Sequence, residues 1–362
     1  MRAVLAGGGS AGHVSPLLAL ADRLVADDPA TEILALGTTT GLEARLVPAR
    51  GYRLHPVPKV PLPRRPSTAL LRLPVNLRAA VREARRAIDE IDAQVVVGFG
   101  GYVSAPAYLA ARQAKVPIVV HEQNSRPGFA NRLGARLTRS VAVTFPDTPL
   151  RHAIRTGMPL RAEIVGLDVA TARSGARETF GLDPARTTLL VFGGSLGAQR
   201  LNDVVPQIAV DLRRRGIQVL HVTGAGKAVE VSAVEAGAPA YLAVDYVDQM
   251  ELAYAAADFV IGRAGANTVS ELTALGLPAA YVPLPIGNGE QRLNALPVVE
   301  AGGGLMVADA DLDRSWLLDQ VLPLMDDPEK LRTMGAAARG FGRLDADRLL
   351  ADLVRAAIGG SR

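Results

Sequence analysis

The sequence predicts an α/β protein of two Rossmann-like domains, each built on a parallel sheet. Short β-branched apolar runs alternate with helical patterns, and this alternation restarts after about residue 160. Each half also carries a glycine-rich turn after its first clear strand. A length of 362 residues suits two such domains. We expect domains over 1–160 and 161–343, with a last helix near 344–358 that could return to the first domain.

The predicted elements follow in chain order. In the first half the strands are Ala3–Ala6, Ile33–Gly37, Val95–Gly98, Ile118–His121 and Val141–Phe145, and the helices include Pro16–Val25 and Asn76–Ile91. In the second half the strands are Leu189–Phe192, Gln218–Thr223, Phe259–Ile261, Ala279–Val282 and Leu305–Val307. The helices of that half are Arg200–Arg215, Gln249–Ala256, Val269–Leu275, Ser315–Met325 and Pro328–Arg339.

The composition excludes several classes of protein. The absence of cysteine excludes a disulfide framework, a thiolate metal site and a cysteine nucleophile. With 49% hydrophobic and 21% charged residues, the chain is not disordered. The apolar run after Arg2 is too short for a secretory signal, and glycines and a proline interrupt the uncharged stretch from Ala93 to Ala111. We therefore expect a soluble or peripheral protein.

The net charge of +4 conceals an uneven distribution. Between Arg50 and Arg86 ten Arg or Lys residues oppose one acid, Glu83, so this segment carries 10 − 1 = +9. The rest of the chain carries 4 − 9 = −5. A local basic field indicates a polyanionic partner, which can be nucleic acid, an anionic membrane or a phosphorylated substrate. A solvated helix face in an arginine-rich chain is the alternative.

Three glycine turns follow predicted strands. Gly7–Gly12 matches the G-x-G-x-x-G pattern that lets a phosphate approach a helix N-terminus. A dinucleotide site also needs an acid at the end of the second strand, but Glu32 lies at its beginning, which disfavours NAD(P). The turns at Gly98–Ser104 and Gly193–Ser195 favour a crevice lined by backbone amides.

His13, directly after the first glycine loop, is the candidate general base. A helix N-terminus disfavours the imidazolium and keeps the ring neutral, although helix capping is the alternative role. The cluster at 121–124 (His-Glu-Gln-Asn) is either a second acid/base group or a polar loop wall. We expect no metal site, because the chain has no H-E-x-x-H motif and the Asp309–Asp313 run can cap a helix.

Two polar segments follow strands of the second half. Gly262–Glu271 opens a helix whose free N–H groups can hold a phosphate, and Glu271 can accept hydrogen bonds from sugar hydroxyls. Pairing with the helix dipole is the alternative for Glu271. Pro285–Ala295 carries amide side chains that suit neutral hydroxyls, although a plain turn would also account for this segment.

Taken in order, these motifs resemble the MurG family of peptidoglycan N-acetylglucosaminyltransferases. The resemblance rests on Gly-His, Gly-Gly-Tyr-Val-Ser, His-Glu-Gln-Asn, Gly-Gly-Ser, Arg-Ala-Gly-Ala…Thr-Val-Ser-Glu and Gln-x-x-Asn-Ala, collinear over about residues 3–355. It implies the GT-B fold, with two Rossmann-like domains facing a cleft. It also implies inverting, metal-independent transfer of GlcNAc from UDP-GlcNAc to the MurNAc 4-hydroxyl of undecaprenyl-pyrophosphoryl-MurNAc-pentapeptide (lipid I to lipid II), without a cofactor.

The resemblance assigns roles to individual residues. His13 is the implied general base, with Glu122 as the alternative. The implied donor-binding residues are Ser10, Ala11, Gly12, Asn124, Arg161, Ser195, Val247, Ala266, Asn267, Thr268, Val269, Ser270, Glu271 and Gln291. The implied acceptor or supporting residues are Tyr102, Asn131, Asn202, Arg263 and Asn294. Glu290 stands where many relatives have a glutamine, which leaves recognition of the donor sugar's 4-position open.

The basic segment then has a specific predicted partner. Arginines interleaved with leucines suit an anionic inner leaflet at the cytoplasmic face of the cell membrane, with contacts from Arg64, Arg65, Arg72 and Arg78. Nucleic acid is disfavoured, because Tyr52 is the segment's one aromatic residue. The other expected partners are UDP-GlcNAc, the undecaprenyl-diphosphate-linked acceptor and proteins of cell-wall synthesis. The alternatives are a GT-B transferase with a different lipid or natural-product acceptor, a UDP-GlcNAc epimerase, and a membrane-associated nucleotide-binding scaffold.

Overall fold

The structure is a computed structural model that describes residues 1–60, 69–194, 197–231 and 237–360. The chain forms two compact units, Met1–Arg161 with Leu344–Arg362, and Ala162–Arg343. The first unit therefore contains both the beginning and the end of the chain, and the second is inserted between them.

The first unit is built on a seven-stranded parallel sheet of order β3-β2-β1-β4-β5-β6-β7. Its strands are β1 (Arg2–Ala6), β2 (Glu32–Gly37), β3 (Arg53–Pro56), β4 (Val95–Gly98), β5 (Ile118–Glu122), β6 (Ser140–Val143) and β7 (Ala153–Arg155). Its helices are α1 (Ala11–Asp27), α2 (Glu43–Ala49), α3 (Ala69–Glu90), α4 (Ser104–Ala114), α5 (Phe129–Gly134) and the C-terminal α16 (Ala346–Gly359).

The central strand of this sheet is buried on both faces. Val4 and Ala6 pack into one apolar cluster, which includes residues of α3 and α4. Ala3 and Leu5 point to the other face and pack with residues of α1 and α16. Successive side chains of a strand alternate between faces, so a short run of apolar residues covers both layers of helices.

The second unit has a six-stranded parallel sheet of order β10-β9-β8-β11-β12-β13. Its strands are β8 (Thr188–Phe192), β9 (Gln218–Val222), β10 (Tyr241–Val244), β11 (Phe259–Gly262), β12 (Ala279–Tyr281) and β13 (Gly304–Met306). Its α-helices are α6 (Ala162–Val165), α7 (Val169–Thr179), α8 (Gln199–Val204), α9 (Ala209–Arg214), α10 (Met250–Ala256), α11 (Ala266–Leu275), α12 (Glu290–Glu300), α13 (Arg314–Trp316), α14 (Leu322–Met325) and α15 (Pro328–Phe341).

Both sheets confirm the predicted α/β class, but some elements differ from the prediction. The single helix expected over Arg200–Arg215 was wrong, because a 3₁₀ segment, Val205–Ile208, separates α8 from α9. Pro206 lies in that segment and lacks the N–H that a continuous α-helix would need. The helix expected over Ser315–Met325 is likewise interrupted, by a π segment at Leu317–Val321.

The two sheets share a feature that positions the loops. In each sheet the strand order reverses beside the first strand, which creates a topological switch point. It lies between β1 and β4 in the first unit and between β8 and β11 in the second. Ligands of open parallel sheets bind outside the carboxyl ends of the strands at such a switch point. The three glycine turns and the Gly262–Glu271 segment each follow one of these four strands. In the described part of the chain, no helix is both long and apolar enough to cross a membrane.

Candidate active site

The first glycine loop leads from β1 directly into α1, and the turn after β4 packs against it. Gly9 has φ +90° and Gly101 has φ +79°, a region that favours glycine. A Cβ added to Gly101 would lie 2.3 Å from the carbonyl oxygen of Gly8. The two turns therefore touch backbone to backbone, and a side chain at this point would separate them.

His13 is the third residue of α1 and is half-buried. Its Nδ1 lies 3.1 Å from the carbonyl oxygen of Gly8 and 3.1 Å from Oγ of Ser10. Because a carbonyl only accepts, Nδ1 carries the hydrogen in the neutral ring and Nε2 keeps its lone pair. No described residue hydrogen-bonds to Nε2, which lies 3.1 Å from the position of a Cβ added at Gly100.

The surroundings of His13 keep it neutral. Burial lowers the pKa of His13 below its ordinary value, although the Gly8 carbonyl and the charge of Glu43 act in the opposite direction. A neutral imidazole with a free Nε2 lone pair is the form that a general base needs.

Glu122, the alternative base of the sequence analysis, has a different environment. The residue is 2% exposed at the end of β5, and its Oε1 accepts from the backbone N–H of Asn124 at 2.9 Å. Its Oε2 accepts from the N–H of Gly128 at 2.9 Å and from Nδ2 of Asn131 at 3.0 Å. Burial raises the pKa of Glu122 and outweighs these hydrogen bonds. The geometry fits a side chain that holds the 123–131 loop.

The other candidates of the first unit surround this loop and the glycine turns. Asn131 is buried, and its Oδ1 accepts from the hydroxyl of Tyr108 at 2.8 Å. Tyr102 is 41% exposed, and Nζ of Lys59 lies 4.8 Å from its ring centroid. Ser10 is exposed, and the remaining donor-site candidates of this unit, Ala11, Gly12, Asn124 and Arg161, are half-buried.

In the second unit, the segment after β11 becomes the N-terminus of α11. The helix begins at Ala266, and its first intrahelical bond runs from the N–H of Val269 to the carbonyl oxygen of Gly265 at 3.0 Å, so the amides of its first turn lie at the open end of the helix. Glu271 lies in the second turn, and its Oε2 accepts from the hydroxyl of Tyr254 at 2.7 Å. An amide-lined helix end beside a fixed carboxylate can bind a phosphate together with a neighbouring hydroxyl.

Gln291, near the start of α12, connects two loops of the second unit. Its Oε1 accepts from the N–H of Ala264 at 3.2 Å and from the N–H of Leu284 at 3.0 Å. The carbonyl half of this amide is therefore already engaged. No described residue accepts from its Nε2, which leaves the side chain a donor toward a ligand.

Three supporting candidates of the second unit pack around these loops; Asn202 and Asn294 are buried and Arg263 is half-buried. The Arg263 guanidinium donates to the carbonyl oxygen of Val282 at 3.1 Å and pairs with Asp309 at 2.5 Å. Nδ2 of the buried Asn294 donates to the carbonyl oxygen of Ala264 at 3.4 Å. The Arg263 contact joins the carboxyl ends of β11 and β12, and the Asn294 contact joins α12 to the loop after β11, so both residues fix the shape of the loops.

Asn202, the third of these candidates, belongs to a buried chain of side chains. Its Nδ2 donates to the carbonyl oxygen of Thr223 at 3.0 Å, and its Oδ1 lies 3.0 Å from Nε2 of His221. Nδ1 of His221 in turn lies 2.8 Å from the hydroxyl of Tyr241. Neither His221 nor Tyr241 was predicted as a site residue, because both lie in strands that carry no motif.

Glu43 is a third residue that was not predicted from the sequence. It is the first residue of α2, and its buried carboxylate accepts from the N–H of Gly9 at 2.9 Å. The same carboxylate accepts from the N–H and Oγ1 of Thr38, at 2.9 and 2.7 Å. A Cβ added to Gly8, Gly37 or Gly41 would overlap the Glu43 side chain. This cluster of glycines around one acid is the signal that could have revealed it.

Ser195, Arg64 and Arg65 lie outside the described residues, and so does the side chain of Arg72. Val247 is buried, in the segment between β10 and α10. Among the described residues, no group of three or more His, Asp or Glu side chains is placed to hold a metal ion.

Comparison with known proteins gives the family. Residues 3–143 match the glycosyltransferase family 28 N-terminal domain, and residues 188–350 match the C-terminal domain of that family. A relative from Streptomyces coelicolor, named UDP-N-acetylglucosamine--N-acetylmuramyl-(pentapeptide) pyrophosphoryl-undecaprenol N-acetylglucosamine transferase, is 55% identical over 358 residues, which are 99% of this chain and 98% of the relative. The chain belongs to the MurG family. A relative of the same name from Mycolicibacterium smegmatis is 55% identical over 97% of this chain and 92% of its own.

Solved structures agree with the MurG family fold. The crystal structure of Acinetobacter baumannii MurG has a TM-score of 0.75 and 25% identity, and the match covers 98% of this chain and 99% of that one. A UDP-GlcNAc 2-epimerase from Neisseria meningitidis, solved with UDP-GlcNAc bound, has a TM-score of 0.70 at 11% identity. This second likeness concerns the fold alone. Each of the two parallel-sheet units corresponds to one domain of the GT-B fold of this glycosyltransferase family.

Proposed function

We propose that this enzyme transfers GlcNAc from UDP-GlcNAc to the MurNAc 4-hydroxyl of undecaprenyl-pyrophosphoryl-MurNAc-pentapeptide, with inversion at the anomeric carbon. This reaction converts lipid I to lipid II in peptidoglycan synthesis. The observation that carries the proposal is the 55% identity, over nearly the full length of both chains, with a relative named for that transfer.

In the proposed mechanism, His13 is the general base. The acceptor oxygen attacks the anomeric carbon of GlcNAc, its proton moves to Nε2 of His13, and the bond to UDP breaks. Nε2 suits this role because the hydrogen bond from Nδ1 to Gly8 fixes the tautomer. A positioned base contributes about 10²–10⁴ in rate. Glu122 suits the role less, because both of its oxygens already accept hydrogen bonds inside the protein.

The second unit supplies the proposed donor contacts without a metal or cofactor. The N-terminal amides of α11 stabilise the negative charge that develops on the departing diphosphate. Glu271 accepts from the ribose hydroxyls, in an orientation held by Tyr254. Gln291 donates from Nε2 to a sugar hydroxyl, while its Oε1 stays bonded to the two loops.

Transfer of labelled GlcNAc to a lipid I analogue tests the reaction, with UDP-GalNAc as the competing donor and other lipid acceptors offered alongside. His13→Gln tests the base, and His55→Gln on β3 is the matched control. We expect His13→Gln to lose about 10²-fold or more in kcat with unchanged UDP-GlcNAc affinity, and His55→Gln to lose less than twofold. A loss under about threefold in His13→Gln would remove His13 from the mechanism.

For localisation, the proposal is a peripheral position on the anionic inner leaflet of the cell membrane. A groove of about 430 Å³ between α3 and α4 has an apolar floor and a basic rim. Its lining residues are Leu77, Arg78, Val81, Arg82, Arg85, Leu109 and Gln113. Arg78 and Arg82 are exposed and form no ion pair with any described residue, so both charges are available. Each near-surface cation contributes about 1 kcal/mol of attraction to an anionic leaflet.

Liposome sedimentation tests this localisation. Reversing Arg78 and Arg82 to Glu should abolish binding to vesicles that contain anionic lipid, while transfer to a short-chain soluble acceptor continues. Reversing Arg112 and Arg214, which are exposed on α4 and α9 outside the groove, changes the net charge equally and should leave vesicle binding intact. Equal vesicle binding by the two double variants would contradict the proposal.

A further inference from the structure

One peptide group lies between a buried carboxylate and the candidate base. The N–H of Gly9 donates to Oε2 of Glu43 at 2.9 Å. The carbonyl of Gly8, which belongs to the same peptide bond, accepts from Nδ1 of His13 at 3.1 Å. Because a trans peptide is planar, with its N–H and C=O on opposite sides, the two hydrogen bonds run in series through it.

We propose that Glu43 is a positioning residue for His13, and that it acts through the Gly8–Gly9 peptide group. The carboxylate polarises the peptide, which makes the Gly8 carbonyl a stronger acceptor for the imidazole N–H. It thereby holds the tautomer with a free Nε2 and stabilises the imidazolium formed when Nε2 takes a proton, as the carboxylate of a hydrolytic triad does by direct contact. No proton passes along the series, and Glu43 stays ionised.

The packing around Glu43 supports this role. The carboxylate is fully buried, and three donors from two loops converge on it. Burial alone would raise the pKa of Glu43, but the hydrogen bonds from Gly9 and Thr38 outweigh it and lower the pKa, so the group is charged at neutral pH. A buried charge needs such hydrogen-bond donors. One of the donors here, the N–H of Gly9, belongs to the loop that also holds His13.

Among the described residues, three ionisable side chains close to the two glycine turns bear on this proposal, namely Glu43, Lys59 and Glu122. Glu43 is the one whose charge bears on the protonation of His13. Lys59 lies over the ring of Tyr102, and Glu122 is hydrogen-bonded to Asn131. Removal of the Glu43 charge should therefore change the titration of His13 directly.

The test combines NMR titration of the imidazoles with enzyme kinetics. The kinetic measurements rest on the proposed role of His13 as the base, and the NMR titration does not. In Glu43→Gln we expect the pKa of His13 to fall and a second tautomer to appear. The acid limb of the kcat profile should move to lower pH, and its plateau should fall about tenfold, while KM for UDP-GlcNAc stays within twofold. Glu43→Asp, which keeps the charge, should recover part of the plateau.

Thr38→Val is the matched control, since it removes one hydrogen bond to the same carboxylate but keeps the charge. It should cost stability without moving the His13 titration. If Glu43→Gln does not fold, the wild-type protein provides the test. Its Gly9 amide resonance should shift over the pH range in which His13 titrates, and the same resonance in His13→Gln should not. The proposal would be overturned if the pKa of His13 were unchanged in folded Glu43→Gln, or if the Gly9 amide resonance of the wild type did not shift as His13 titrates. If His13→Gln keeps its transfer rate, the base assignment fails, but the NMR result on the coupling stands by itself.

Discussion

Gly100 limits the space beside the candidate base, and Gly100→Ala tests how closely His13 must be held. An added Cβ would lie 3.1 Å from both Cδ2 and Nε2 of His13, and 3.4 Å from Nδ2 of Asn131. Carbon atoms prefer separations of about 3.5–4.0 Å, so the imidazole has to withdraw by about half an ångström. Since a misplacement of about 1 Å can cost roughly 10²-fold in rate, we expect kcat to fall roughly tenfold.

The backbone contribution can be separated from this contact. Gly100 has φ +93°, and an L-residue in a left-handed conformation costs about 1–2 kcal/mol. Gly51, in the same unit, has φ +85° but no atom within 4 Å of an added Cβ. Gly51→Ala should therefore lose similar stability in urea denaturation and keep its transfer rate on a soluble acceptor. If Gly100→Ala and Gly51→Ala transfer GlcNAc at rates within twofold of each other, the reasoning about His13 is refuted.

Three further predictions concern the second unit and the pH dependence of stability. Glu271→Gln keeps the acceptor for Tyr254 but loses the charge, so steady-state kinetics should show KM for UDP-GlcNAc raised about tenfold with an unchanged Tm. Gln291→Glu keeps both backbone bonds but removes the amide donor. The free energy of unfolding should stay within about 1 kcal/mol, while selectivity for UDP-GlcNAc over UDP-GalNAc should fall in a competition assay. Burial lowers the pKa of His121 and His221 from 6.5 to about 4. The unfolded chain therefore binds protons that the folded chain does not, and each histidine should lower the free energy of unfolding by about 3 kcal/mol as the pH falls from above 6.5 to 4. Urea denaturation of wild type and His221→Asn at pH 7 and pH 4.5 checks this, and a difference between them that does not change with pH would contradict it.

The sequence predicted the central strands and the glycine turns because their signals are local. A run such as Val95–Gly98 is short, apolar and followed by glycine, and nothing distant is needed to recognise it. Three strands were missed, namely β3, β7 and β10. Each lies at or next to the edge of its sheet and is partly exposed, so it lacks the continuous apolar run of a central strand.

The supports of the site were harder to predict for a physical reason. Glu43 and Gly9 are 34 residues apart, and a glutamate at the start of a helix is ordinarily explained by the helix dipole. Glu122 lies in a conspicuous cluster, but only the folded loop shows that Asn124, Gly128 and Asn131 converge on its oxygens. Local sequence therefore indicates which residue types are present at a loop, and long-range contacts decide which of them have free lone pairs.

The position of α16 has a consequence for synthesis. Leu350, Ala351 and Val354 of this helix belong to the same apolar cluster as Leu17 and Leu20 of α1, although the ribosome delivers them more than 300 residues later. Until they emerge, one face of the first sheet lacks part of its cover, whereas the inserted second unit is already complete in sequence. Domains generally fold as units during translation, so the nascent chain can finish its second unit before its first. The unit that contains the first residue and the candidate base is then the last to mature, and a chain interrupted near its end carries an unfinished first unit.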